Sequence, residues 1–431
     1  MHETLSYIIR FLLGVDSSEH VQKSIAYTSD ESEFKHYKLV VYPSTFFNRD
    51  VYGTKKSLPE LPLPALGEVP VLFGEPRIER KADTIILYAD IIASTYFLIS
   101  RYEEIVRHDV RDVHGRFQGR ESLPFKAGFI DYPIVDKYGV LLRKLLREQG
   151  TDIPEPKQDI QKIYLTHDVD AIAHYRRLRG LLGAFKNDYS QIKTAFKSYF
   201  KGIEHDPWFT FDWLLKQNQS INKDNVESIF FIKPPGGKHL EDRPRTNINS
   251  KGYHVLYNLL KKNNARIGLH ASYEAGLHPE LIAEERKSLE KAANVTIKCN
   301  RHHFLGTREP EDMEALIQAG ITDDFTMGYA DVAGFRLGTC RPVQWINPVT
   351  KQLRPLVLHP LTIMDGSLSD VRYMKFDESS AYSYAKTLIN ETTAHGGDLC
   401  LLWHNTSVVE KDESSNSYHR RLYAQLIERI C

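Results

Sequence analysis

The chain of 431 residues is 42% hydrophobic and 26% charged, which are ordinary values for a folded globular protein and exclude wholesale disorder. Its 56 Lys and Arg residues balance 56 Asp and Glu residues, so it lacks the broad positive field of proteins that bind nucleic acids or anionic membranes. A local basic patch is compatible with this balance. The length predicts two domains, or at most three.

The cysteines and the N-terminus favour a cytoplasmic protein. The four cysteines form no CxxC pair, so we expect reduced thiols. The segment MHETLSYIIRFLLGVD has no basic n-region and no small-residue cleavage site, and its apolar spacing predicts an amphipathic helix rather than a signal peptide. No run of eighteen apolar residues occurs, so we expect no membrane span.

The first part of the chain, residues 1–155, is predicted to be a smaller mixed α/β domain of unknown role. Its elements are predicted as strands at 36–42, 69–74 and 84–90, followed by helices at 93–107 and 135–150. The polar stretch TDIPEPKQD at 151–159 contains two prolines and predicts a domain boundary. The second domain then comprises residues 156–431.

Strands and helices alternate in the second domain, which predicts parallel strands joined by helical crossovers. The predicted strands are 161–170, 226–232, 265–272, 295–300, 356–361 and 397–404, and the predicted helices are 209–218, 252–263, 279–294, 310–320 and 380–395. Each predicted strand ends in His, Asp or another polar residue. Because (β/α) barrels carry their catalytic groups at the carboxyl ends of strands, this coincidence points to an active site.

The first polar cluster is Thr166-His167-Asp168-Val169-Asp170. Residues two apart on an extended backbone point the same way, so Asp168 and Asp170 project to one side. Two carboxylates this close repel each other unless a cation or a proton lies between them. A metal site with a neighbouring general base satisfies this demand. The alternative is that Asp170 caps a following helix and Asp168 is exposed.

Three later clusters also follow apolar strands. His270 ends the run ARIGLHAS, and Glu274 follows it four residues later. The cluster Arg301-His302-His303 follows VTIKCN, and adjacent histidines there point opposite ways, so at most one joins a shared site. His404 ends CLLWH and is well placed to enter a pocket.

Together these motifs resemble the polysaccharide deacetylase superfamily (carbohydrate esterase 4, NodB-like) over roughly residues 160–410. The resemblance implies a distorted (β/α)7-type barrel and one divalent metal, zinc, with cobalt, nickel or another divalent ion as alternatives. THDVD matches the D-x-D variant of the first motif, which makes Asp168 the general base and Asp170 a metal ligand. Leu401 to His404 matches the last motif, which makes His404 the general acid.

The family's arginine motif has two candidates in GFRLGTCRP, Arg336 and Arg341. Arg336 is preferred because it directly follows the apolar AGF, and the resemblance implies that it holds Asp168 ionised. Asp365, in PLTIMDGSL, would play the part of the family's aspartate that tunes the last histidine, His404.

The second motif departs from the family pattern. The superfamily has H-[ST]-x-x-H, whereas this chain reads H-A-S-Y-E, so Glu274 stands in place of the second histidine. Glu274 coordinates the metal, or His303 completes an Asp170–His270–His303 site, or the site is inactive. We favour His303, because neighbouring strand ends lie about 5 Å apart and a borderline cation prefers imidazole. His302 replaces it if the register differs by one.

The resemblance implies an enzyme that removes an acetyl group from an N- or O-acetylated sugar or glycan precursor. Tyr273, Tyr329 and Trp345 are candidates for sugar-binding walls, although most aromatic residues at strand ends belong to cores. One alternative is a catalytically silent barrel that binds glycans or acts as a scaffold. Another is a hydrolase of a non-sugar C–N bond. The expected partner is a carbohydrate, with no nucleic acid.

Overall fold

The computed structural model describes residues 1–14, 19–176, 189–308, 310–410 and 418–431. These residues form a mixed α/β structure with two main sheets, both rich in parallel pairs. The predicted α/β class is therefore confirmed.

Every predicted helical segment contains a helix, and the described residues form six further α-helices that the sequence did not predict. In chain order the α-helices are α1 (His2–Leu13), α2 (Glu19–Lys23), α3 (Ile91–Ile99), α4 (Tyr102–Val106), α5 (Leu123–Lys126), α6 (Ile134–Glu148), α7 (Tyr189–Phe200), α8 (Phe211–Gln219), α9 (Lys251–Lys262), α10 (Tyr273–Leu277), α11 (Ile282–Ala293), α12 (Pro310–Gln318), α13 (Asp365–Ser369), α14 (Glu378–Ala394) and α15 (His419–Ile430). Side-chain caps define several helix starts. Ser250 accepts a hydrogen bond from the Tyr253 amide at α9, and Asp377 accepts one from the Ser380 amide at α14.

The strands of the first sheet lie in the N-terminal third of the chain. They are β1 (Ile25–Tyr27), β2 (Leu39–Val41), β5 (Gly74–Arg80) and β6 (Ile85–Ala89), while β3 (Ala65–Leu66) and β4 (Val69–Pro70) form a separate hairpin. The spatial order is β1-β2-β6-β5, with β5 antiparallel to β6 and the other pairs parallel.

The second sheet carries the polar strand ends. Its strands are β7 (Lys162–Val169), β8 (Val226–Ile232), β9 (Arg266–Ala271), β10 (Cys299–His302), β11 (Asp323–Met327), β12 (Val343–Asn347), β13 (Gln352–Pro360), β14 (Ile363–Met364) and β15 (Asp398–Leu402). The order is β12-β13-β11-β10-β9-β8-β7-β15-β14, and every pair is parallel except β12 with β13. Consecutive residues of β8 from Ile229 to Ile232 are fully buried, so both faces of this strand are covered, as parallel sheets require.

The segment between β13 and β14 contacts two distant strands of this sheet. The Leu361 amide donates to Met327 O of β11 at 3.0 Å, and the Thr362 amide donates to Cys400 O of β15 at 3.1 Å. The sheet therefore curves enough for one short segment to bridge strands that lie five positions apart in its order.

Most predicted elements are present, but tertiary contacts change some boundaries. The predicted helix at 93–107 divides into α3 and α4, because Arg101 adopts a left-handed backbone with φ of 59°. The predicted strand at 69–74 ends early, and β5 begins only at Gly74. Sequence reasoning did not find β11 and β12, and neither has a long apolar run.

The N-terminal third packs directly on the second sheet. The largest buried apolar cluster includes Ile8 and Leu12 of α1 together with Trp345 of β12. Tyr7 Oη accepts a hydrogen bond from the Gln344 amide at 2.8 Å, and Thr4 Oγ1 donates to Lys351 O at 2.8 Å. The division of the chain into two domains, residues 1–155 and residues 156–431, stays a prediction. The contacts described above join both parts in one continuous apolar core.

Among the described residues, no helix has both the length and the apolar character needed to cross a membrane.

Candidate metal centre

Three side chains converge at the carboxyl edge of the second sheet. Asp170 directly follows β7, His270 lies near the end of β9, and His303 directly follows β10. His303 Nε2 and His270 Nε2 lie 3.2 and 3.4 Å from Asp170 Oδ1. One candidate ligand atom from each residue lies within 4.8 Å of the others. The structure therefore brings together the three residues that the sequence assigned to a metal.

The ring of His270 is oriented by the backbone of the next strand. Its Nδ1 lies 2.9 Å from the carbonyl oxygen of Arg301. Because a carbonyl oxygen only accepts, Nδ1 carries the hydrogen, and Nε2 of the neutral ring presents a lone pair. This tautomer is the one required of a metal ligand, and a carbonyl partner commonly fixes it.

The ring of His303 is oriented by a buried carboxylate. Its Nδ1 lies 3.4 Å from Asp242 Oδ1, and the amides of Tyr273 and Glu274 donate to the Asp242 carboxylate at 2.8 and 3.0 Å. Burial alone would raise the pKa of Asp242, but His303 and the two amides hold it at about 2. The ionised Asp242 keeps the hydrogen on Nδ1, which leaves the Nε2 lone pair directed at Asp170.

Oδ1 of Asp170 is a hydrogen-bond acceptor, and it faces two ring nitrogens, Nε2 of His270 and Nε2 of His303, which are also acceptors when the rings are neutral. Within the described part of the chain, Oδ1 of Asp170 is buried and has no hydrogen bond of acceptable geometry. If both histidines are neutral, their Nε2 lone pairs and this oxygen repel one another unless a cation lies between them. The residues therefore fit a divalent metal. The Asp170 side chain as a whole is 32% exposed, so the centre is open on one side.

Neighbouring groups shift the pKa of His303 and that of Asp170 in opposite directions. Burial alone would lower the pKa of His303, but the negative charges of Asp170 and Asp242 raise it. Burial alone would raise the pKa of Asp170, and the two imidazoles instead hold it well below its ordinary value.

The chain leaves β10 through a strained turn beside His303. Phe304 and Leu305 have φ angles of 61° and 54°, in the left-handed region that residues other than glycine rarely adopt. Arg116 Nη1 donates to the Phe304 carbonyl at 3.0 Å and helps to hold this turn. Such strain persists only where surrounding contacts enforce it, and it often lies at functional sites.

Asp168 lies next to the centre and is held by a buried arginine. Arg301 Nη1 donates to Asp168 Oδ1 at 2.9 Å and to Thr166 Oγ1 at 2.8 Å, while its Nε donates to Phe325 O at 3.0 Å. Arg301 is fully buried. The other oxygen of Asp168, Oδ2, lies 3.6 Å from His270 Nε2. One oxygen of Asp168 therefore accepts a hydrogen bond from the buried Arg301 guanidinium, and the other is directed toward the candidate metal ligand His270.

His404 and Asp365 form a second charged pair at the same edge of the sheet. His404 Nδ1 lies 2.8 Å from Asp365 Oδ1, and Asp365 Oδ2 accepts from the His404 amide at 2.9 Å and from Ser407 Oγ. Burial alone would lower the pKa of His404, but Asp365, with smaller contributions from Asp170 and Asp168, raises it to about 10. His404 is therefore a cation at neutral pH. The predicted partnership of these two residues is present.

The predicted role of Arg336 is wrong. Arg336 donates to both oxygens of Glu104 at 2.9 and 2.7 Å, and to Gly328 O at 2.7 Å. The other candidate, Arg341, pairs with Asp136 at 2.6 Å. Both arginines lie between β11 and β12, and each pairs with a carboxylate of the N-terminal third, Glu104 or Asp136. Arg301 holds Asp168 instead.

Neither alternative ligand joins the converging group of described residues. Glu274 Oε2 accepts from the His239 amide at 3.3 Å, because its side chain turns toward the loop after β8. His302 Nδ1 lies 3.0 Å from Asn300 Nδ2, since residues two apart on an extended chain share a side and the adjacent His303 faces the other side. Burial lowers the pKa of His302 to about 3.

Two of the three predicted sugar-binding aromatics lie in cores. Trp345 is only 2% exposed and belongs to the largest apolar cluster, and Tyr329 is buried in a smaller one. Their hydrophobic area is used for packing, so the predicted substrate contacts are wrong for both. Tyr273 is also buried, but its ring centroid lies 5.6 Å from that of Phe304. Phe304, in turn, lies 4.6 Å from the His303 ring.

Sequence reasoning missed Arg301 and Asp242. A signal for Arg301 was present, because it lies two residues before His303, where an extended strand directs side chains to the same side. Asp242 lies in a loop after β8, and no local pattern marks it as a partner of His303.

Residues 1–151 match the sequence model of a family of unknown function (DUF7033). The matched range is about a third of the chain and ends before β7, so it contains none of the converging residues. A search of the curated proteins found no match to the chain.

Proposed function

We propose that the chain is a metal-dependent hydrolase that removes an acetyl group from an acetylated sugar or glycan precursor. The observation that carries the proposal is the convergence of Asp170 Oδ1 with the Nε2 lone pairs of His270 and His303. This arrangement of acceptors needs a cation.

The nature of the reaction rests on the resemblance to polysaccharide deacetylases. THDVD, His270 and L-L-W-H occur in the order of that superfamily's motifs, and all of them lie at one edge of the second sheet. The bridging of β11 and β15 by residues 361–362 supports a distorted (β/α) barrel as the underlying architecture.

The metal ligands in this proposal are Asp170 Oδ1, His270 Nε2 and His303 Nε2. Two imidazoles and one carboxylate suit zinc, with cobalt or nickel as alternatives. A metal held there supplies Lewis acidity toward the acyl carbonyl and acidifies a water molecule.

Asp168 acts as the general base. Its Oδ1 accepts a hydrogen bond from Arg301, which fixes the orientation of the carboxylate, while Oδ2 is directed toward the ligands and accepts the proton of the attacking water. Arg301 is therefore a positioning residue that acts through Asp168.

His404 acts as the general acid. It is protonated at neutral pH because of Asp365, and it is partly exposed, so it is available to the leaving amine or alcohol. Asp168 removes a proton and His404 supplies one, as hydrolysis of an amide or ester requires.

Metal content tests the first half of this proposal. Inductively coupled plasma mass spectrometry on tag-free protein should find about one divalent metal per chain. His303→Ala should lose the metal, whereas Glu274→Ala should keep it. Metal loss in Glu274→Ala with retention in His303→Ala would contradict the ligand set, and no metal in the reconstituted parent would favour a catalytically silent barrel.

Turnover tests the second half. Release of acetate from acetylated amino sugars should disappear in Asp168→Asn, because the amide cannot accept the proton, while metal content stays at the parent value. Removal of a general base typically costs about 10²–10⁴-fold in rate. Unchanged turnover in Asp168→Asn would contradict its role.

A further inference from the structure

A basic cleft lies beside the candidate metal centre and is built partly from the N-terminal third of the chain. It has a volume of about 360 Å³ and is lined by residues 111–114, 116–118 and 120 together with 330–331 and 372–373. Small-molecule sites typically enclose about 300–1,000 Å³. The cleft is therefore large enough for part of a ligand.

The charges that line this cleft favour an anion. Four arginines (Arg111, Arg116, Arg120 and Arg372) face two aspartates, Asp112 and Asp331. Both aspartates are engaged: Asp112 pairs with Arg116 at 2.7 Å, and Asp331 accepts from the Gly119 and Arg120 amides at 2.7 and 3.1 Å. Arg120 is exposed and donates to the Tyr373 carbonyl, and the Arg372 side chain is 70% exposed and pairs with Asp370 at 2.6 Å. A guanidinium group has five N–H donors, so both keep further donors for a ligand.

A short series of contacts joins the cleft to the metal centre. The His114 ring centroid lies 4.7 Å from that of Phe304, which lies 4.6 Å from that of His303. Arg116 connects the two sides directly, through its bond to Phe304 O and a second bond from Nη2 to Tyr373 Oη at 3.1 Å. The cleft therefore lies on the other side of the Phe304 ring from His303, close enough for one substrate to contact both sites.

We propose that this cleft binds a phosphoryl group of the substrate, so that the substrate is an acylated sugar that carries a phosphate or diphosphate. Guanidinium groups match the geometry of phosphate oxygens through paired N–H donors, and several of them are required to hold a multiply charged group. The acylated-sugar part rests on the proposed function, whereas the phosphoryl site does not depend on it. The region matched by the family of unknown function then supplies a substrate-binding wall.

Calorimetric titration of pyrophosphate into the full chain tests the site. The protein is first stripped of metal and then freed of the chelator, so that the centre at Asp170 contributes no metal-dependent binding. The variant with Arg120→Gln and Arg372→Gln should bind pyrophosphate about tenfold more weakly for each arginine that contacts the ligand. Affinity in the parent should also fall as salt is added.

The matched control is Arg421→Gln. Arg421 is as exposed as Arg372, at 68% against 70%, and each pairs with one carboxylate at 2.7 and 2.6 Å, but Arg421 lies on α15 away from the cleft. The Arg421→Gln variant should bind pyrophosphate with the same affinity as the parent. Absence of pyrophosphate binding in the parent, or equal losses in the control, would overturn the proposal.

A carboxylate ligand distinguishes the chemistry of the anion. Glucuronate should bind more weakly than pyrophosphate. Tighter binding of glucuronate that depends on the same two arginines would overturn the phosphoryl assignment in favour of an acidic sugar. These titrations contain no metal, so absence of pyrophosphate binding would overturn the phosphoryl site and leave the deacetylase proposal intact. Absence of metal in the metal analysis would count against the deacetylase and leave the phosphoryl site intact.

Discussion

At the scale of single residues, the charge of His404 depends on Asp365. The Asp365→Asn substitution removes the negative charge next to Nδ1, so the pKa of His404 should fall from about 10 by about 1–3 units. Titration of the His404 ring by NMR measures this change. The pKa of His404 is 6.5 in the unfolded chain and is raised to about 10 in the folded protein. The pair therefore contributes its full stability below pH 6.5, and this contribution is lost as the pH rises toward 10.

The control for this pair is Asp370→Asn. Asp370 lies in the same segment but pairs with Arg372, so its removal should leave the His404 titration unchanged. An unchanged His404 pKa in Asp365→Asn would show that Asp365 does not set the charge of the proposed general acid.

At the scale of elements, β9 carries His270 between two strands that approach it closely. A Cβ added at Gly268 would lie 2.5 Å from Cδ1 of the buried Phe231 ring of β8 and 3.0 Å from Cys299 Sγ of β10. Gly268→Ala should therefore lower the free energy of unfolding by about 1–3 kcal/mol, because neither neighbour has room to move. Urea unfolding followed by circular dichroism measures the loss.

Gly366→Ala is the matched control for overpacking. Its added Cβ would meet only Met364 Cε, at 3.9 Å, and its backbone lies in α13. This variant should stay within about 0.5 kcal/mol of the parent. Equal destabilisation of both variants would contradict the packing argument for β9.

At the scale of the whole molecule, a buried charge cluster joins the N-terminal third to the second sheet. Glu104 of α4 lies 2.6 Å from Arg101 and 2.7 Å from Arg336, and all three side chains are buried. Glu104→Gln leaves two buried guanidinium groups without a counter-charge and should cost about 3–5 kcal/mol in unfolding free energy. Denaturant unfolding of the full chain measures it.

The exposed pair of Glu378 and Arg421 provides the comparison for this charge cluster. Arg421 is 68% exposed, so Glu378→Gln should change stability by at most about 1 kcal/mol. An equal loss of unfolding free energy in Glu104→Gln and Glu378→Gln would show that the buried Glu104 cluster stabilises the protein no more than an exposed pair does.

The same cluster predicts a dependence of stability on acid. Burial alone would raise the pKa of Glu104, but Arg101 and Arg336 lower it to about 2, whereas the unfolded chain has the ordinary value near 4.5. The unfolded state therefore binds the proton first, and the contribution of Glu104 is present above pH 4.5 and is lost as the pH falls toward 2. Glu104→Gln should flatten this part of the profile of unfolding free energy against pH.

The sequence by itself determined which residues lie at the carboxyl ends of strands. An apolar run followed by a polar residue is a local pattern, and the two-residue period of a strand determines which side chains share a face. The placement of Asp168, Asp170 and His270 follows from this pattern, which also allows only one of His302 and His303 to join their site; the structure decided for His303.

Only the tertiary structure decided which partners these residues have. Arg301, rather than Arg336, holds Asp168, and Asp242 orients His303, because such pairs join elements far apart in the chain and depend on strand order and helix packing. The burial of Trp345 and Tyr329 has the same origin, since an aromatic residue becomes core or binding surface according to which other element covers it. The placement of residues 111–120 beside the metal centre likewise depends on how the N-terminal third packs on the second sheet, and no local pattern encodes it.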